Sequence, residues 1–249
     1  MSSCALRRAA HHFKRKAPTV SLERPASKIV CIGRNYTDHI SELQNAKPKQ
    51  PFFFLKPPSA ILLPGQGPVL RPQGVELHHE VELALIMGRT VDAMASHDVK
   101  AAITAIDRYA LAIDMTARNV QDEAKKKGLP WDIAKGFNTF LPLSRPIPKT
   151  LIPDPHDVEL FLHVNGQPRQ RGSTKLMIHG IPRILCDIGK VMTLLPGDIV
   201  LTGTPAGVGP VVPGDVIRAG VTVDGFEVDE GVIEVRVEES RSAYKYTET

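Results

Sequence analysis

Residues 78–87 read His78-His79-Glu80-Val81-Glu82-Leu83-Ala84-Leu85-Ile86-Met87. Their alternation, followed by an apolar run, predicts a β-strand on which Glu80 and Glu82 share one face. Two carboxylates side by side in apolar surroundings repel each other and lose solvation, so another group must offset their charge. A hard divalent cation, a shared proton or a basic partner would do this. On an exposed strand face, by contrast, a Glu-x-Glu pair contributes only to solubility.

A third carboxylate follows another apolar run. Residues Tyr109–Met115 predict a second buried strand, and Asp114 lies at its exit. Asp114 could complete a ligand set with Glu80 and Glu82. Three carboxylates with open positions suit Mg²⁺ or Mn²⁺, which favour oxygen ligands. The sequence has no Cys or His cluster of the kind that binds zinc.

The composition is that of a single globular domain rather than of a disulfide-rich or membrane protein. A chain of 249 residues with 42% hydrophobic and 23% charged residues favours one large domain. The 21 prolines and 19 glycines predict many turns and hence a β-rich fold. The three cysteines form no C-x-x-C pair, so no disulfide framework is indicated. No apolar run is long enough to span a bilayer.

The basic charge of the chain is concentrated in its first residues. Residues 1–22 contain five Arg and Lys and no acid, which leaves −1 of the net +4 for the remainder. A basic, acid-free head with interleaved apolar residues is typical of a mitochondrial presequence, although a disordered basic tail or a misplaced start codon gives the same pattern. We therefore expect one catalytic domain over residues 28–240. A nucleic-acid-binding body is not supported, and we expect no nucleic-acid or membrane partner.

His39 and Glu42 form a candidate general-base pair. They follow the predicted strand Ile29–Gly33 and lie three residues apart in a short helical turn that Thr37 could cap. A carboxylate beside an imidazole fixes its tautomer and raises its basicity, as a general base or a water activator requires. An ordinary surface His–Glu pair has the same spacing, so only the position after a buried strand favours the catalytic interpretation.

The next segment contains three phenylalanines and a lysine before two prolines. We expect Phe52, Phe53 and Phe54 to be largely buried, either in the core or in a subunit interface. Lys56 ends this run, and its side chain faces either a site or solvent. The sequence alone does not decide between these two positions.

Further candidate residues lie after Asp114. A helix is predicted from Thr116 to a C-terminal cap at Gly128, with Arg118 and Gln121 on one face. Arginine suits the carboxylate of a small acid, although a solvated amphipathic helix would have the same pattern. Lys135 lies in an apolar loop, where a desolvated lysine can be placed against an enolate or carbonyl oxygen.

The remaining elements follow from local signals. A helix with apolar residues at helical spacing is predicted from Ser96 through Ile106. Asn165-Gly166 predicts a hairpin turn. A further helix is predicted from Ile181 through Met192, with Val191 on its apolar face. The glycine-rich loop after Leu201 lacks the spacing of a nucleotide-binding loop.

Several of these segments, in this order, resemble motifs of the fumarylacetoacetate hydrolase family. The similarity covers about residues 28–237, and its closest form is to a small mitochondrial subgroup that acts on acylpyruvates and oxaloacetate. The similar motifs are Arg34-Asn35-Tyr36 with His39 and Glu42, Phe54-Leu55-Lys56-Pro57, His79-Glu80-Val81-Glu82, Asp114-Met115-Thr116-Ala117-Arg118 with Gln121, Lys135, Leu201-Thr202-Gly203-Thr204-Pro205, and the lysine-rich segment that ends in Lys127-Gly128-Leu129-Pro130-Trp131.

The resemblance implies an α+β fold, β-rich, with a barrel-like roll of mixed strands, a few peripheral helices and a homodimeric assembly. It implies Mg²⁺ or Mn²⁺ at Glu80, Glu82 and Asp114. It also implies that the His–Glu pair lies under a lid that orders on ligand binding. The remaining residues that it implies are Lys135 as a catalytic lysine and Arg34, Arg118, Gln121 and Thr204 as substrate contacts.

The implied activity is metal-dependent chemistry on small 2-oxo acids through a metal-bound enolate. Tautomerisation and decarboxylation of oxaloacetate and hydrolysis of acylpyruvates all share that enolate, so the sequence does not choose among them. Alternatives are hydrolysis of another 2,4-dioxo acid such as fumarylpyruvate, a catalytically silent metal-binding scaffold, and a nucleic-acid-associated protein suggested by the basic head. The presequence predicts a mitochondrial matrix location.

Overall fold

The computed structural model of the chain describes residues 25–36 and 49–248. These residues form a β-rich α+β structure, as predicted, with seventeen strands and four α-helices in the described ranges. The strands are β1 Ile29–Gly33, β2 Phe52–Lys56, β3 Ile61–Leu62, β4 Val69–Arg71, β5 Leu77–His79, β6 Val81–Met87, β7 Ile106–Ile113, β8 Thr116–Ala117, β9 Leu141–Pro142, β10 Ile147–Pro148, β11 Glu159–Val164, β12 Gln167–Ser173, β13 Ile199–Leu201, β14 Gly209–Val211, β15 Val216–Val223, β16 Phe226–Glu227 and β17 Ile233–Glu239. The helices are α1 Val99–Ala105, α2 Arg118–Lys127, α3 Asp132–Lys135 and α4 Ile181–Gly189.

Two larger sheets and two small ones hold these strands. The central sheet has the order β10-β7-β6-β13-β1-β2, in which only β1 and β13 are parallel. A second sheet has the order β12-β11-β15-β17-β4, with β16 paired to β15. The small sheets are β14-β5-β8 and β3-β9. Each pairing path of the described strands is open, so the mixed strands form a roll and not a closed barrel.

The two faces of the central sheet line two different apolar cores. On β6, Leu83 and Leu85 enter the main core, whereas Ala84 points into a smaller core on the other face. Neighbouring β7 follows the same rule, because Ala110 and Ala112 also belong to the smaller core. Alternation along a strand places Glu82 on the face of Ala84. The smaller core therefore leads directly to the predicted carboxylates.

Helix boundaries differ from the sequence prediction where a backbone group has another partner. Helix α1 begins at Val99, because the side chain of Asp98 accepts a hydrogen bond from the N–H of Ala101 at 2.8 Å. The predicted start at Ser96 was therefore too early. Ile106, which was assigned to this helix, opens strand β7 instead.

Helix α2 begins two residues later than predicted. Thr116–Ala117 pairs with β5 as strand β8, so the helical hydrogen bonds begin only at Arg118. The predicted end is confirmed, since Gly128 adopts the left-handed conformation with φ of 65° that a helix C-terminus favours.

Helix α4, which was predicted to run from Ile181 through Met192, is shorter than its apolar pattern. It ends at Gly189, and Val191, which was placed on the buried face, is 67% exposed. The predicted hairpin is confirmed, because Asn165 and Gly166 both have positive φ, of 52° and 77°, and connect β11 to β12.

The prediction that all three phenylalanines are largely buried was wrong within this chain. Phe52 is 41% exposed, because β2 is the edge strand of the central sheet and pairs only with β1. The ring of Phe52 packs against Trp131, with ring centroids 5.2 Å apart, and Phe54 packs against the same tryptophan at 5.4 Å. The homodimer, and with it an interface at these rings, stays a prediction.

The helices of the described ranges are all short. None of them combines the length and the apolar character that crossing a bilayer requires.

Asp198 joins the start of the described chain to the central sheet. Its buried carboxylate accepts hydrogen bonds from the N–H and hydroxyl of Ser27 at 2.9 and 2.6 Å and from the N–H of Leu195 at 2.8 Å. The ammonium of Lys28 forms an ion pair with the same carboxylate. Burial raises the pKa of Asp198, but the contacts with Lys28, Ser27 and Leu195 lower it more, so the pKa lies below the ordinary carboxyl value.

We expect Asp198→Asn to lower the free energy of unfolding by about 3 kcal/mol at neutral pH, because a buried charged acceptor loses its ion pair. A carboxylate with a lowered folded pKa stabilises the protein fully above its unfolded pKa of about 4 and loses that contribution as the pH falls through the folded value. The difference between the proteins should therefore narrow below about pH 4. Urea unfolding from pH 3 to pH 8 measures it. The exposed Asp107→Asn is the control, and a pH-independent difference would contradict the assignment.

Candidate active site

The three predicted carboxylates come together because of strand register. Strands β6 and β7 are antiparallel, with Glu82 opposite Ala112. Continuing this register by two residues places Glu80 opposite Asp114, and the N–H of Asp114 donates to the carbonyl of Glu80 at 2.8 Å. Directly opposed and diagonal residues on one face of a sheet are neighbours. The spacing of the acids on the two strands therefore produces one cluster.

The carboxylate cluster is buried. Glu80 is 8%, Glu82 2% and Asp114 0% exposed. One oxygen of each lies within 4.8 Å of the others. The arrangement has the donor type and spacing that a hard divalent cation requires. The cluster could therefore hold such an ion.

Two buried lysines contact this cluster. The ammonium nitrogen of Lys135 donates to Glu80 Oε2 at 3.0 Å and to Asp114 Oδ2 at 2.7 Å. The ammonium nitrogen of Lys56 lies 2.7 Å from Asp114 Oδ1 and donates to the main-chain carbonyls of Met115 and Lys135. Lys56 is 1% exposed, so the solvent-facing alternative was wrong. This second lysine fixes both a carboxylate and the backbone that carries the first lysine.

The charges of the cluster shift its pKa values in the directions that burial and neighbours dictate. Burial raises the pKa of Glu82, and the negative charges of Asp114 and Glu80 raise it further. Burial lowers the pKa of Lys135, but Asp114 and Glu80 raise it more, so the net pKa is above the ordinary value. Burial lowers the pKa of Lys56, and Asp114 opposes that shift only in part. Lys135 is therefore the more firmly protonated of the two lysines.

A loop after β13 closes one side of the site. The N–H of Gly203 donates to Glu82 Oε2 at 2.6 Å, and the hydroxyl of Thr204 donates to the carbonyl of Val81 at 2.8 Å. Gly203 has φ of +96°, and a Cβ there would lie 2.7 Å from the Cβ of Asn35. Only glycine can therefore present this N–H to the carboxylate.

Gln170 holds this loop against the carboxylate strand from the second sheet. Its buried side-chain carbonyl accepts from the N–H of Val81 at 3.0 Å and lies 2.9 Å from His79 Nδ1. Because that oxygen can only accept, Nδ1 of His79 carries the ring proton of the neutral imidazole. The side-chain amide donates to the hydroxyl of Thr204 at 2.8 Å and to the carbonyl of Pro205 at 2.9 Å. One side chain thus joins strand β12 to both walls of the site.

Arg118 joins helix α2 to the cluster. Its guanidinium donates to Glu80 Oε1 at 2.8 Å and to the side-chain carbonyl of Gln121 at 2.5 Å. The hydroxyl of Thr116 donates to the same glutamate oxygen at 3.0 Å. The predicted face with Arg118 and Gln121 therefore points to the carboxylates and not to solvent.

These groups line one cleft. Seven of the predicted residues line it, namely Arg34, Glu80, Glu82, Arg118, Gln121, Lys135 and Thr204. Asp114 lies behind them, in contact with Lys135. His39 and Glu42 lie outside the described residues, so the general-base pair stays a prediction. The other lining residues are Ile32, Gly33, Phe54, Lys125 and Trp131.

Sequence reasoning did not single out several residues of this site. Gln170 carried no signal, and Lys125 and Trp131 were noted only within the lysine-rich segment, because their roles depend on contacts across the fold. Tyr36 was noted only within a motif, and its buried hydroxyl has no hydrogen-bond partner among the described residues. Burial raises the pKa of Tyr36, and the charge of Glu82 adds to the shift. A buried hydroxyl close to the carboxylates is a polar group that the sequence did not reveal.

Comparison with known proteins agrees with the geometry. A family profile described as "Fumarylacetoacetate (FAA) hydrolase C-terminal" matches residues 28–237. The mitochondrial oxaloacetate tautomerase oaa1 of Schizosaccharomyces pombe is 53% identical over 214 residues, which cover 86% of this chain and 97% of that protein. The mitochondrial oxaloacetate decarboxylase of Dictyostelium discoideum is 48% identical over 81% of this chain and 91% of its own length.

A solved structure has the same fold with ligands bound. The fumarylpyruvate hydrolase of Pseudomonas aeruginosa, in complex with Mn²⁺ and pyruvate, superimposes with a TM-score of 0.76. It is 30% identical to this chain, and the alignment covers 87% of this chain and 91% of that one.

We expect Glu82→Gln to weaken binding of Mn²⁺ by about 100-fold or more, because an oxygen ligand of the cluster loses its charge. Titration calorimetry with Mn²⁺ measures the affinity. The same change removes a buried charge next to two other carboxylates, so the metal-free protein should melt at an equal or higher temperature. Glu238→Gln, on an exposed position of β17, is the matched control. Equal Mn²⁺ affinity of both variants would contradict a metal site at this cluster.

We expect Gln170→Leu to lower the free energy of unfolding by about 3 kcal/mol or more, because four buried polar groups lose their partner together. Guanidinium unfolding, monitored by circular dichroism, measures the loss. The control is Gln167→Leu, which lies on the same strand at an exposed position. If both variants were equally stable, the network around Gln170 would not carry the loop.

Proposed function

The chain belongs to the fumarylacetoacetate hydrolase family, and on that premise we propose that it is a divalent-metal-dependent enzyme that interconverts the enol and keto forms of oxaloacetate. The observation that carries this proposal is the buried set of Glu80, Glu82 and Asp114, bridged by the ammonium of Lys135 and open to a cleft. Two relatives, one named an oxaloacetate tautomerase and the other an oxaloacetate decarboxylase, support oxaloacetate as the substrate.

We assign Mg²⁺ or Mn²⁺ to the carboxylate cluster. The donor set is made only of carboxylate oxygens, which these two ions prefer. When bound, such a cation supplies Lewis-acid polarisation of the 2-oxo group of the substrate. The Mn²⁺ in the related fumarylpyruvate hydrolase structure supports the assignment.

Lys135 acts on the charge that develops during the reaction. Its pKa is raised, so it keeps its positive charge at neutral pH. In a buried site, a fixed ammonium stabilises negative charge on the 2-oxo oxygen more strongly than in water. Arg118, Gln121 and Thr204 surround the same cleft and bind the polar groups of the acid.

His39 and Glu42 move the proton. In the keto-to-enol direction, His39 takes a proton from C3 of oxaloacetate, the electron pair forms the C2–C3 double bond, and the 2-oxo oxygen receives a proton. Glu42 orients the imidazole and stabilises its protonated form. The reverse sequence returns the keto form.

Two further reactions begin from the same site. In decarboxylation, the C3–C4 bond of oxaloacetate breaks, CO₂ leaves, and C3 takes a proton to give pyruvate. In acylpyruvate hydrolysis, water adds to the distal acyl carbon, the bond from that carbon to C3 breaks, and pyruvate and a carboxylic acid form. The oxaloacetate decarboxylase among the relatives favours decarboxylation as an additional activity. The fumarylpyruvate hydrolase structure favours acylpyruvate hydrolysis.

We further propose a location in the mitochondrial matrix. The two relatives described above carry mitochondrial names, and residues 1–22 have the basic, acid-free composition of a presequence.

The proposed activity is tested with the full chain in three parallel assays, each with Mg²⁺, with Mn²⁺ and with EDTA. The assays follow loss of enol-oxaloacetate, release of pyruvate from oxaloacetate, and loss of acetylpyruvate absorbance. We expect the fastest metal-dependent rate in the tautomerase assay. Metal binding without activity in any assay would overturn the proposed function.

We expect His39→Ala to keep Mn²⁺ binding and to lose roughly 10²–10⁴-fold in turnover, the range of general acid–base groups. Lys135→Met should lower turnover by about 10²–10³-fold, as loss of one preorganised electrostatic donor does. The matched controls are the exposed residues His97 and Lys175, changed to Ala and Met. An unchanged turnover number in either site variant would remove that residue from the mechanism.

A further inference from the structure

Helix α2 presents a third polar residue to the cleft beyond the two predicted ones. Arg118, Gln121 and Lys125 are spaced by three and four residues, which places them on one face of the helix. All three line the cleft. Helical side chains lean toward the N-terminus of their helix, so Lys125 reaches back over Gln121 toward the carboxylates. Its α-carbon lies about 10 Å along the axis from that of Arg118.

The aromatic wall of the cleft supports the side chain of Lys125. Its ammonium lies 5.6 Å from the ring centroid of Trp131, which packs against both Phe52 and Phe54. The side chain is 35% exposed, so it lies at the mouth and not in the protein interior. Its carboxylate contact is with the half-exposed Asp122 at 3.3 Å, a long distance for an ion pair at a surface.

The charges that line the described part of the cleft differ between its two ends. Glu80 and Glu82 lie at the inner end, where Arg118 and Lys135 bind Glu80 directly. Lys125 lies at the mouth, where its carboxylate contact within the described residues is with Asp122. Burial lowers the pKa of Lys125, and the positive charges of Arg118 and Arg34 add to the shift. A carboxylate of the ligand at this end would relieve that repulsion.

We propose that Lys125 is a specificity-determining residue that binds the distal carboxylate of a dicarboxylic 2-oxo acid. The inner end of the cleft binds the 2-oxo acid group that all candidate substrates share. The mouth then separates a substrate with a second carboxylate, such as oxaloacetate, from one with an uncharged acyl end, such as acetylpyruvate. This inference rests on the proposed function, because it names the substrate class of the same site.

The test compares Lys125→Met with Lys126→Met in the full chain. Lys126 is the next residue of the helix, is exposed and does not line the cleft, so its variant loses the same formal charge outside the site. For each protein, kcat/KM is measured with oxaloacetate and with acetylpyruvate. If the protein does not turn over one of the two acids, the inhibition constant of that acid is measured in competition with the other. Each variant is thus compared on both acids.

We expect Lys125→Met to lower kcat/KM for oxaloacetate by about 10- to 100-fold, the effect of one charge-assisted hydrogen bond. The value for acetylpyruvate should change less than about twofold, and Lys126→Met should leave both unchanged. Lys125→Arg should restore most of the preference, because it keeps the charge. Equal losses for both acids would overturn this inference and leave the proposed function in place. A wild-type protein that neither converts nor binds either acid would overturn both.

Discussion

The structure depends on the compensation of three carboxylates in an apolar interior. Glu80, Glu82 and Asp114 meet where two central strands end, on the sheet face that lines the smaller apolar core. Isolated charges at such depth would be prohibitive, so they persist only with partners. Lys56 and Lys135 supply two of these, and the N–H of Gly203 supplies another. The loop, the edge strand and the short helix that carry these partners are therefore bound to the same point.

The part of the site that the sequence predicted is the part that local periodicity encodes. A period of two placed Glu80 and Glu82 on one face, and an apolar run placed Asp114 at a strand exit. A spacing of three placed Arg118 and Gln121 on one helix face, although the helix begins two residues later than expected. These relations hold within one element. The register between β6 and β7 then brings the separate elements together.

The residues that the sequence did not predict act across elements. Gln170 is 91 residues from His79 along the chain, and Lys56 is 79 residues from the backbone carbonyl of Lys135 that it binds. Gln170 has no local pattern that distinguishes it from a surface residue, and for Lys56 the sequence left a position in a site and one in solvent open. Phe52 shows the opposite difference within one chain, because the edge position of β2 leaves its ring half-exposed against Trp131, and burial in a subunit interface stays a prediction. Burial and partnership are properties of packing, which one sequence reveals only in part.

The two ends of the cleft differ in what holds them in place. This difference explains why the family motifs identify a shared reaction step more readily than a substrate. The inner end is defined by strand register and buried charge, so a change there costs stability as well as chemistry. The mouth is formed by one helix face and an aromatic wall, where Lys125 is partly exposed and, within the described residues, makes one long contact with a carboxylate. Substitutions at such a position change the free energy of unfolding only slightly. In the proposed function, selection among 2-oxo acids can therefore reside in α2 without any change to the carboxylate cluster, to which we assign the common chemistry.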